Sequence, residues 1–156
     1  MEKKANNEDK IMWKVMIVDD EKLICKLVQA LVEWDKLGMQ MAAQAENAIQ
    51  ALDMLQQYRP DILITDIRMP GMDGLELIKN AKKICPELEI IIISGYAHFE
   101  YARNALSLGV GNYLLKPIKQ DELNETLRKI GERLDAKKSA QGMEMAERRV
   151  SESDVN

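Results

Sequence analysis

Five short aliphatic segments alternate along the chain with longer segments whose apolar residues recur every three or four positions. Aliphatic runs of this length, apolar on both faces, predict buried strands, and the segments between them predict helices. Strands buried on both faces need helices on both faces, so the pattern predicts an α/β fold with a doubly wound parallel sheet. The predicted strands are Val15 to Val18, Met39 to Ala43, Ile62 to Ile64, Ile90 to Ile93, and Tyr113 to Leu115.

Each predicted helix has an apolar stripe that we expect to face the sheet. The stripes are Leu23, Leu27, Ala30 and Leu31; Ile49, Leu52 and Leu55; Leu75, Ile78 and Ala81; Tyr101, Ala105 and Leu108; and Leu123, Leu127, Ile130 and Leu134. Pro60, Pro86 and the glycines at 109 and 111 are expected to end the second, third and fourth helices.

The apolar pattern ends at both ends of the chain. Residues 1–12 are charged and predict a disordered arm, and residues 13–135 form one predicted domain. Beyond Leu134 polar residues occupy the stripe, so residues 136–156 predict a solvated helical extension, a linker or a disordered tail.

Composition excludes several classes of function. A formal net charge of -4 gives no basic surface for nucleic acid or for an anionic membrane. Cys25 and Cys85 lie far apart without a neighbouring metal-ligand pattern, which predicts free thiols in a reducing compartment. The chain shows neither a leader peptide nor an apolar run long enough to span a bilayer, so we expect a cytoplasmic protein without membrane contact.

Polar residues follow four of the five predicted strands. Asp19 and Asp20 follow the first strand, Asp66 the third, Ser94 the fourth and Lys116 the fifth. In a doubly wound sheet, ligands bind beyond the carboxyl ends of the strands, so we expect these side chains to converge in one crevice. Simpler interpretations exist for each residue taken alone, for example helix capping by the two aspartates after the first strand.

Three aspartates in one crevice would repel one another unless a cation joined them. A hard divalent ion with oxygen ligands suits the set, and Mg²⁺ suits a site with few carboxylates because it retains water and shares phosphate oxygens. The pattern therefore predicts Mg²⁺, with Mn²⁺ as the alternative. Asp73, in the same segment as Asp66, is predicted to be a helix cap.

The segments VDDE, DIRMPGMDG, SGY and KP, in this order and spacing, resemble the receiver domains of two-component response regulators. The resemblance covers about Lys14 to Leu134. It implies a flavodoxin-like (βα)5 fold with strand order 2-1-3-4-5 and a Lys116–Pro117 bond that is cis more often than most. The segments WDKLGMQMAAQAENAIQAL and SGYAHFEYARNALSLGVGNYLLKPI are similar to receivers that usually precede an AraC-type DNA-binding domain.

The resemblance implies a role for each site residue. Asp66 would accept a phosphoryl group from a sensor histidine kinase, and Lys116 would hold a phosphoryl oxygen. Asp19, Asp20, Asp66 and the backbone carbonyl of Arg68 would bind Mg²⁺. Ser94 would hydrogen-bond the phosphoryl group once it arrived, with Tyr113 turning inward behind it. Arg68 and Tyr96 would tune the rate of dephosphorylation, and because both are bulky we expect that rate to be slow.

The chain would then be a phosphoacceptor switch rather than a conventional enzyme, controlling an output such as transcription. The alternative within the family is a stand-alone receiver that acts through protein–protein contacts. A phosphorylation-dependent homodimer through the fourth and fifth predicted helices is a further expectation, and no nucleic acid is expected to bind this chain itself.

The sequence disfavours three other functions. An FMN site would need a hydroxyl- and glycine-rich phosphate loop after the first strand, where this chain has acidic residues that repel phosphate. An aspartyl phosphatase would place its nucleophile after the first strand and carry a cap insertion, whereas Asp66 follows the third. A pure interaction module would have no need of the complete set of site residues.

Overall fold

The computed structural model describes residues 12–95, 103–105 and 107–154. Its five strands are β1 (Trp13–Val18), β2 (Met39–Ala45), β3 (Ile62–Asp66), β4 (Glu89–Ser94) and β5 (Asn112–Leu115). All five predicted strands are present, and each is longer than its aliphatic run by one or two residues because residues at the strand ends continue the pairing.

The five strands form one parallel sheet in the order β2-β1-β3-β4-β5, which confirms the predicted fold class and strand order. In this register Asp66 pairs with Ile93 across β3 and β4, and Ser94 pairs with Leu115 across β4 and β5. The last residues of the central strands therefore lie at one edge of the sheet, beside the residues that follow β1 and β5.

Helices connect the strands and cover the sheet. They are α1 (Lys22–Leu31), α2 (Trp34–Leu37), α3 (Ala48–Tyr58), α4 (Gly74–Ile84) and α5 (Gln120–Asp154). Residues 103–105 are also helical and belong to the predicted fourth helix. The α3 helix ends at an αL residue, Arg59, directly before Pro60, and Gly109 takes a positive φ of 88°, as expected for the predicted helix ends.

Alternate residues of each strand enter different hydrophobic clusters, because successive side chains of a strand point to opposite faces. Val15 and Ile17 of β1 pack with α1 and α5, whereas Met16 and Val18 pack with α3 and α4. The fully buried residues of the predicted fifth stripe (Leu123, Leu127 and Ile130) complete the first of these clusters. Both faces of the sheet are thus covered, as the continuous aliphatic runs required.

The stripe predicted for the first helix is wrong in its orientation. Leu23 is 76% exposed and Leu27 40% exposed, whereas the buried residues of α1 are Cys25 and Val28. This helix carries apolar residues on two adjoining faces, and packing against β1 and α5 selects the face that the spacing did not identify. On α3, Ile49 is also exposed, and Ala48 and Ala51 are buried with Leu55 instead.

The fourth stripe is described in part. Ala105 is buried and Leu108 is 37% exposed, while Tyr101 lies outside the described residues. On α4 the predicted Ile78 and Ala81 are buried and Leu75 is partly buried, with Leu77 as an additional core residue.

The α5 helix continues far beyond the core. Leu134 is the last buried residue of its stripe, and the helix runs on to Asp154 with the side chains of residues 135–144 exposed. The described part of residues 136–156 is helical, and the assignment of this segment as an extension, a linker or a tail stays a prediction. Along the described chain, none of the helices combines the length and apolar character needed to cross a bilayer.

Candidate functional site

Three carboxylates gather at the carboxyl edge of the sheet. Asp19 directly follows β1, Asp20 lies one residue further on, and Asp66 is the last residue of β3. One carboxylate oxygen from each lies within 4.8 Å of the others. Asp19 and Asp66 are buried, at 2% and 7% exposure, and Asp20 is exposed to solvent. The expected convergence of the three aspartates is thus present.

Local backbone geometry orients the two buried carboxylates. The Asp19 Oδ1 atom accepts a hydrogen bond from the backbone N–H of Glu21 at 2.9 Å. The Asp66 Oδ1 atom accepts one from the N–H of Ile67 at 2.8 Å. Each carboxylate therefore has one oxygen fixed by the backbone of its own loop, which leaves the other oxygen to face the crevice. The α1 helix begins after Glu21 without a side-chain cap, so capping does not explain the aspartates.

Lys116 is the cation of the crevice. Its Nζ atom lies 3.5 Å from Asp66 Oδ2 and 3.7 Å from Asp19 Oδ2. The backbone N–H of Lys116 donates to the carbonyl of Ser94 at 2.8 Å, which joins the ends of β4 and β5. The Lys116–Pro117 peptide bond is cis, as expected. One ammonium group thus contacts two of the three carboxylates.

The pKa values of Asp19 and Lys116 reflect burial together with the neighbouring charges. Burial raises the pKa of Asp19 to about 6, with repulsion from Asp66 adding to the rise. Burial lowers the pKa of Lys116, but attraction to Asp66 and Asp19 outweighs it and leaves the pKa above its ordinary value. Lys116 is therefore charged at neutral pH, and a single lysine is not enough to offset the cost of ionising Asp19.

Ser94, the last residue of β4, and Tyr113, in β5, each carry a buried hydroxyl group. The Ser94 Oγ and Tyr113 OH atoms are both buried and have no hydrogen-bond partner among the described residues. Tyr113 packs by its ring against the cluster that α3 and α4 form with the sheet. Buried hydroxyls normally have a partner, so these two groups are unusual among the described residues.

The structure describes the remaining predicted site residues, Arg68 and Tyr96, less completely or not at all. Arg68 lies in the loop that follows Asp66, two residues beyond it, and its exposed side chain has a partner within the molecule. Tyr96 lies outside the described residues. Asp73 caps α4 by accepting a hydrogen bond from the N–H of Glu76 at 3.0 Å, which confirms its predicted role as a cap.

Sequence reasoning missed Gly74, the first residue of α4. A Cβ atom at this position would lie 2.4 Å from the carbonyl oxygen of Asp66 and 2.7 Å from the Cα of Ile67. The N–H of Gly74 also donates to the carbonyl of Ile67 at 2.7 Å. The helix start is thus packed directly onto the backbone of the Asp66 loop. Glycine at the first position of a helix is not unusual, so the sequence carries no clear signal for this contact.

Fold and site together define a class. A doubly wound five-stranded sheet carries a buried acidic crevice with a lysine at its carboxyl edge, and this is the arrangement of a signalling receiver. The chain belongs to the response regulator receiver domain family, whose model matches residues 15–128.

Relatives agree with this membership. The chain is 40% identical over 119 residues to the transcriptional regulatory protein YesN of Bacillus subtilis, covering 76% of this chain and 32% of YesN. It is 32% identical over 135 residues to the transcriptional regulatory protein HptR of Staphylococcus aureus, covering 86% of this chain and 53% of HptR. The chain therefore spans about a third to a half of the length of these two relatives.

Solved structures give the same result. The receiver domain of AraT, a response regulator of Geobacillus stearothermophilus, superposes with a TM-score of 0.79 at 38% identity, covering 82% of this chain and 99% of that one. A two-component transcriptional regulator AraC of Clostridium phytofermentans gives 0.71 at 35% identity, with coverage of 76% and 92%. The resemblance to receivers of AraC-type regulators is confirmed.

Proposed function

We propose that this domain is a phosphorylation-dependent switch in which Asp66 accepts a phosphoryl group from a sensor histidine kinase. The observation that carries the proposal is the position of Asp66. Its carboxylate is nearly buried, held on one oxygen by the Ile67 N–H, and contacted on the other by Lys116 at 3.5 Å. A carboxylate that has one oxygen held by the backbone and the other facing the crevice, next to a cation, is a suitable nucleophile for phosphoryl transfer.

Transfer would form a bond between a carboxylate oxygen of Asp66 and phosphorus, while the bond between phosphorus and the donor imidazole nitrogen breaks. The imidazole leaves with the electron pair and takes up a proton. Lys116 would neutralise one of the equatorial phosphoryl oxygens, because its ammonium already lies between Asp66 and Asp19. The product is a mixed anhydride, which water can hydrolyse to restore the carboxylate.

The donor set fits Mg²⁺, with Mn²⁺ as the alternative. The three aspartates offer only oxygen ligands, and among the residues that the structure describes neither histidine nor cysteine joins this cluster. Burial, with repulsion from Asp66, raises the pKa of Asp19, so a bound cation would favour the charged form of this carboxylate. Asp19, Asp20, Asp66 and the carbonyl of Arg68 would hold the ion, which when bound supplies positive charge to the phosphoryl oxygens.

Ser94 and Tyr113 would change position when the phosphoryl group is present, and so transmit its presence to the rest of the domain. The Ser94 hydroxyl is buried with an unused donor, so a new dianion at Asp66 offers it the acceptor that the described residues do not provide. Movement of Ser94 would change the space behind β4 and β5, into which Tyr113 packs. This gives the two-state element that a switch requires.

Incubation with acetyl phosphate and Mg²⁺, followed by intact mass measurement, tests the phosphoacceptor. The parent protein should gain one phosphoryl group, and Asp66→Asn should gain none. Asp73→Asn is the matched control, because Asp73 lies in the same loop and asparagine retains its capping hydrogen bond. Omission of the metal should also abolish the gain. Equal phosphorylation of Asp66→Asn would refute the assignment.

The kinase would approach over the exposed apolar face of α1. Leu23, Leu27 and Ala30 are exposed at positions that share this face, and α1 begins directly after the acidic residues that follow β1. An apolar surface next to the phosphoacceptor is an expected contact for a protein that must bring a phosphohistidine to Asp66. The small donor acetyl phosphate needs no such contact, so the two donors distinguish docking from chemistry.

The output of the switch is proposed to be transcription, since the relatives YesN and HptR are transcriptional regulatory proteins. Transcript profiles of cells that carry Asp66→Asn in the full-length gene should differ from those of the parent under conditions that activate the kinase. Unchanged transcripts would favour a receiver that acts through protein contacts alone. Sizing with and without beryllofluoride and Mg²⁺ tests the proposed homodimer, and a monomer in both conditions would exclude it.

A further inference from the structure

The opposite edge of the sheet, where the strands begin, holds the α5 helix by three polar contacts. The indole N–H of Trp13 donates to Asp135 Oδ1 at 2.8 Å. The guanidinium of Arg133 contacts both carboxylate oxygens of Glu89, at 3.3 and 3.4 Å. The Nζ atom of Lys137 lies 3.2 Å from Glu87 Oε2. We call these six residues the amino-edge cluster.

The members of the amino-edge cluster on α5 lie on either side of its buried line. Asp135 and Arg133 are two residues apart, which corresponds to about 200° around a helix, and Leu134 lies between them. Leu134 faces the core at 8% exposure. Contacts on both flanks of a buried residue oppose rotation of the helix about its axis and also sideways movement.

The strands that provide these contacts are not neighbours. Trp13 begins β1 and Glu89 begins β4, and the order β2-β1-β3-β4-β5 places β3 between them. The α5 helix is therefore fastened to the sheet at two points on opposite sides of β3. These two separated attachment points add to the buried stripe of α5 in determining the direction of the helix.

Beyond these contacts the helix leaves the body of the domain. A groove of about 480 Å³ opens between the departing turn of α5, at Lys138 and Gln141, and the loops at Pro60 and Pro86. No apolar side chain of residues 135–144 is buried against the domain. Among the side chains that the structure describes, hydrophobic packing thus ends at Leu134, and the amino-edge cluster provides the last ion pairs and hydrogen bonds between α5 and the rest of the domain.

We propose that the amino-edge cluster sets the direction in which the helix of residues 135–154 leaves the receiver, and makes that helix a rigid arm for whatever it carries. This role does not depend on phosphorylation of Asp66 and would hold if the proposed function failed. It assigns to Trp13, Arg133, Asp135 and Lys137 a positioning role at the end of the sheet remote from the acidic crevice.

The distance between two spin labels tests this role. Gln56→Cys on the exposed face of α3 and Met143→Cys on the extension provide the sites, in a Cys85→Ser background that leaves Cys25 buried. The parent should give one narrow distance distribution. Combining Trp13→Phe, Arg133→Gln and Lys137→Gln should broaden or split it, because phenylalanine keeps the ring packing but lacks the indole donor.

Hydrogen exchange gives a second measurement on the same proteins. Exposed ion pairs contribute little individually, and loss of three contacts should speed amide exchange in residues 137–144 about tenfold. Arg128→Gln is the matched control, since Arg128 pairs, among the described residues, with Glu125 and Glu132 of its own helix. It should leave both the distances and the exchange in residues 137–144 unchanged.

The outcomes are distinct. A distance distribution in the triple variant that superposes on that of the parent, with unchanged exchange, would overturn the proposal. If circular dichroism shows that the triple variant does not fold, the double variant Arg133→Gln with Lys137→Gln decides, because it leaves Trp13 in place. If the distance distribution of the Arg128→Gln control broadens as much as that of the triple variant, the charge on α5 in general is responsible. That result would equally overturn a specific role for the amino-edge cluster.

Discussion

Replacing Gly74 with alanine should damage both the stability of the domain and the chemistry of Asp66. The added Cβ would lie 2.4 Å from the Asp66 carbonyl oxygen, 2.7 Å from the Ile67 Cα and 3.0 Å from the Ile67 carbonyl oxygen. All three are backbone atoms, so no side chain can rotate away to relieve the overlap. Either α4 or the loop that carries Asp66 has to move.

The magnitude follows from known effects of overpacking. Extra atoms in a packed interior cost about 1–3 kcal/mol, and alanine recovers no more than about 1 kcal/mol of helix propensity. We expect Gly74→Ala to lower the free energy of unfolding by about 1–2 kcal/mol and the melting temperature by roughly 3–8 °C. A displaced nucleophile loses rate steeply, so phosphorylation by acetyl phosphate should slow at least about tenfold.

Urea unfolding and time-resolved intact mass measure the two effects. Gly142→Ala is the matched control, because a Cβ at Gly142 has no atom within 4 Å and the residue lies in the exposed extension of α5. The Gly142→Ala control should keep the phosphorylation rate of the parent, and its free energy of unfolding should rise slightly. A Gly74→Ala protein with the stability and phosphorylation rate of the parent would refute the argument that this glycine packs against the loop.

The other predictions concern charge, hydrolysis and docking. In metal-free protein the proton on Asp19 contributes stability that is complete below the ordinary pKa of 3.8 and is lost as pH rises through about 6. Urea unfolding should show Asp19→Asn to be more stable than the parent above that pH, by no more than about 3 kcal/mol, with little difference at pH 4; equal stabilities at pH 8 would contradict this. The Arg68→Ala and Tyr96→Ala proteins should lose the phosphoryl group faster than the parent, whose own hydrolysis should be slow, as measured by decay of the phosphorylated mass. A parent half-life of seconds that neither change alters would contradict the expectation that these bulky side chains slow dephosphorylation. Leu23→Glu with Leu27→Glu should slow phosphotransfer from the kinase roughly tenfold or more but leave acetyl phosphate labelling intact; equal losses with both donors would indicate damage to the site instead.

The acidic crevice illustrates a site that is built at the expense of stability. Asp19 is buried with a raised pKa, and Ser94 is buried with an unused hydroxyl. Both features are unfavourable in the isolated domain. Under the proposed function, both would become favourable once a cation and a phosphoryl group were present, and the binding energy of those ligands would then be available to shift the domain between two states.

The sequence by itself determined where the strands lie, which polar residues follow them, and that these residues meet at one site. Each aliphatic run is buried on both faces, so its neighbours along the chain are enough to identify it. Once the sheet is parallel, residues that follow the strands must meet at one edge, which is why Asp19, Asp66 and Lys116 could be placed together. The caps at Asp73 and after Tyr58 follow equally from local hydrogen bonding.

Only the tertiary structure decided which helix faces are buried and how far the last helix is held. The α1 helix is apolar on two adjoining faces, and the spacing of Leu23 and Leu27 is as regular as that of the buried Cys25 and Val28. Periodicity identifies a face but does not say what packs on it. The overlap at Gly74 and the bond from Trp13 to Asp135, separated by 122 residues in the chain, likewise depend on distances across the fold. Such contacts arise from packing between elements, which no local pattern encodes.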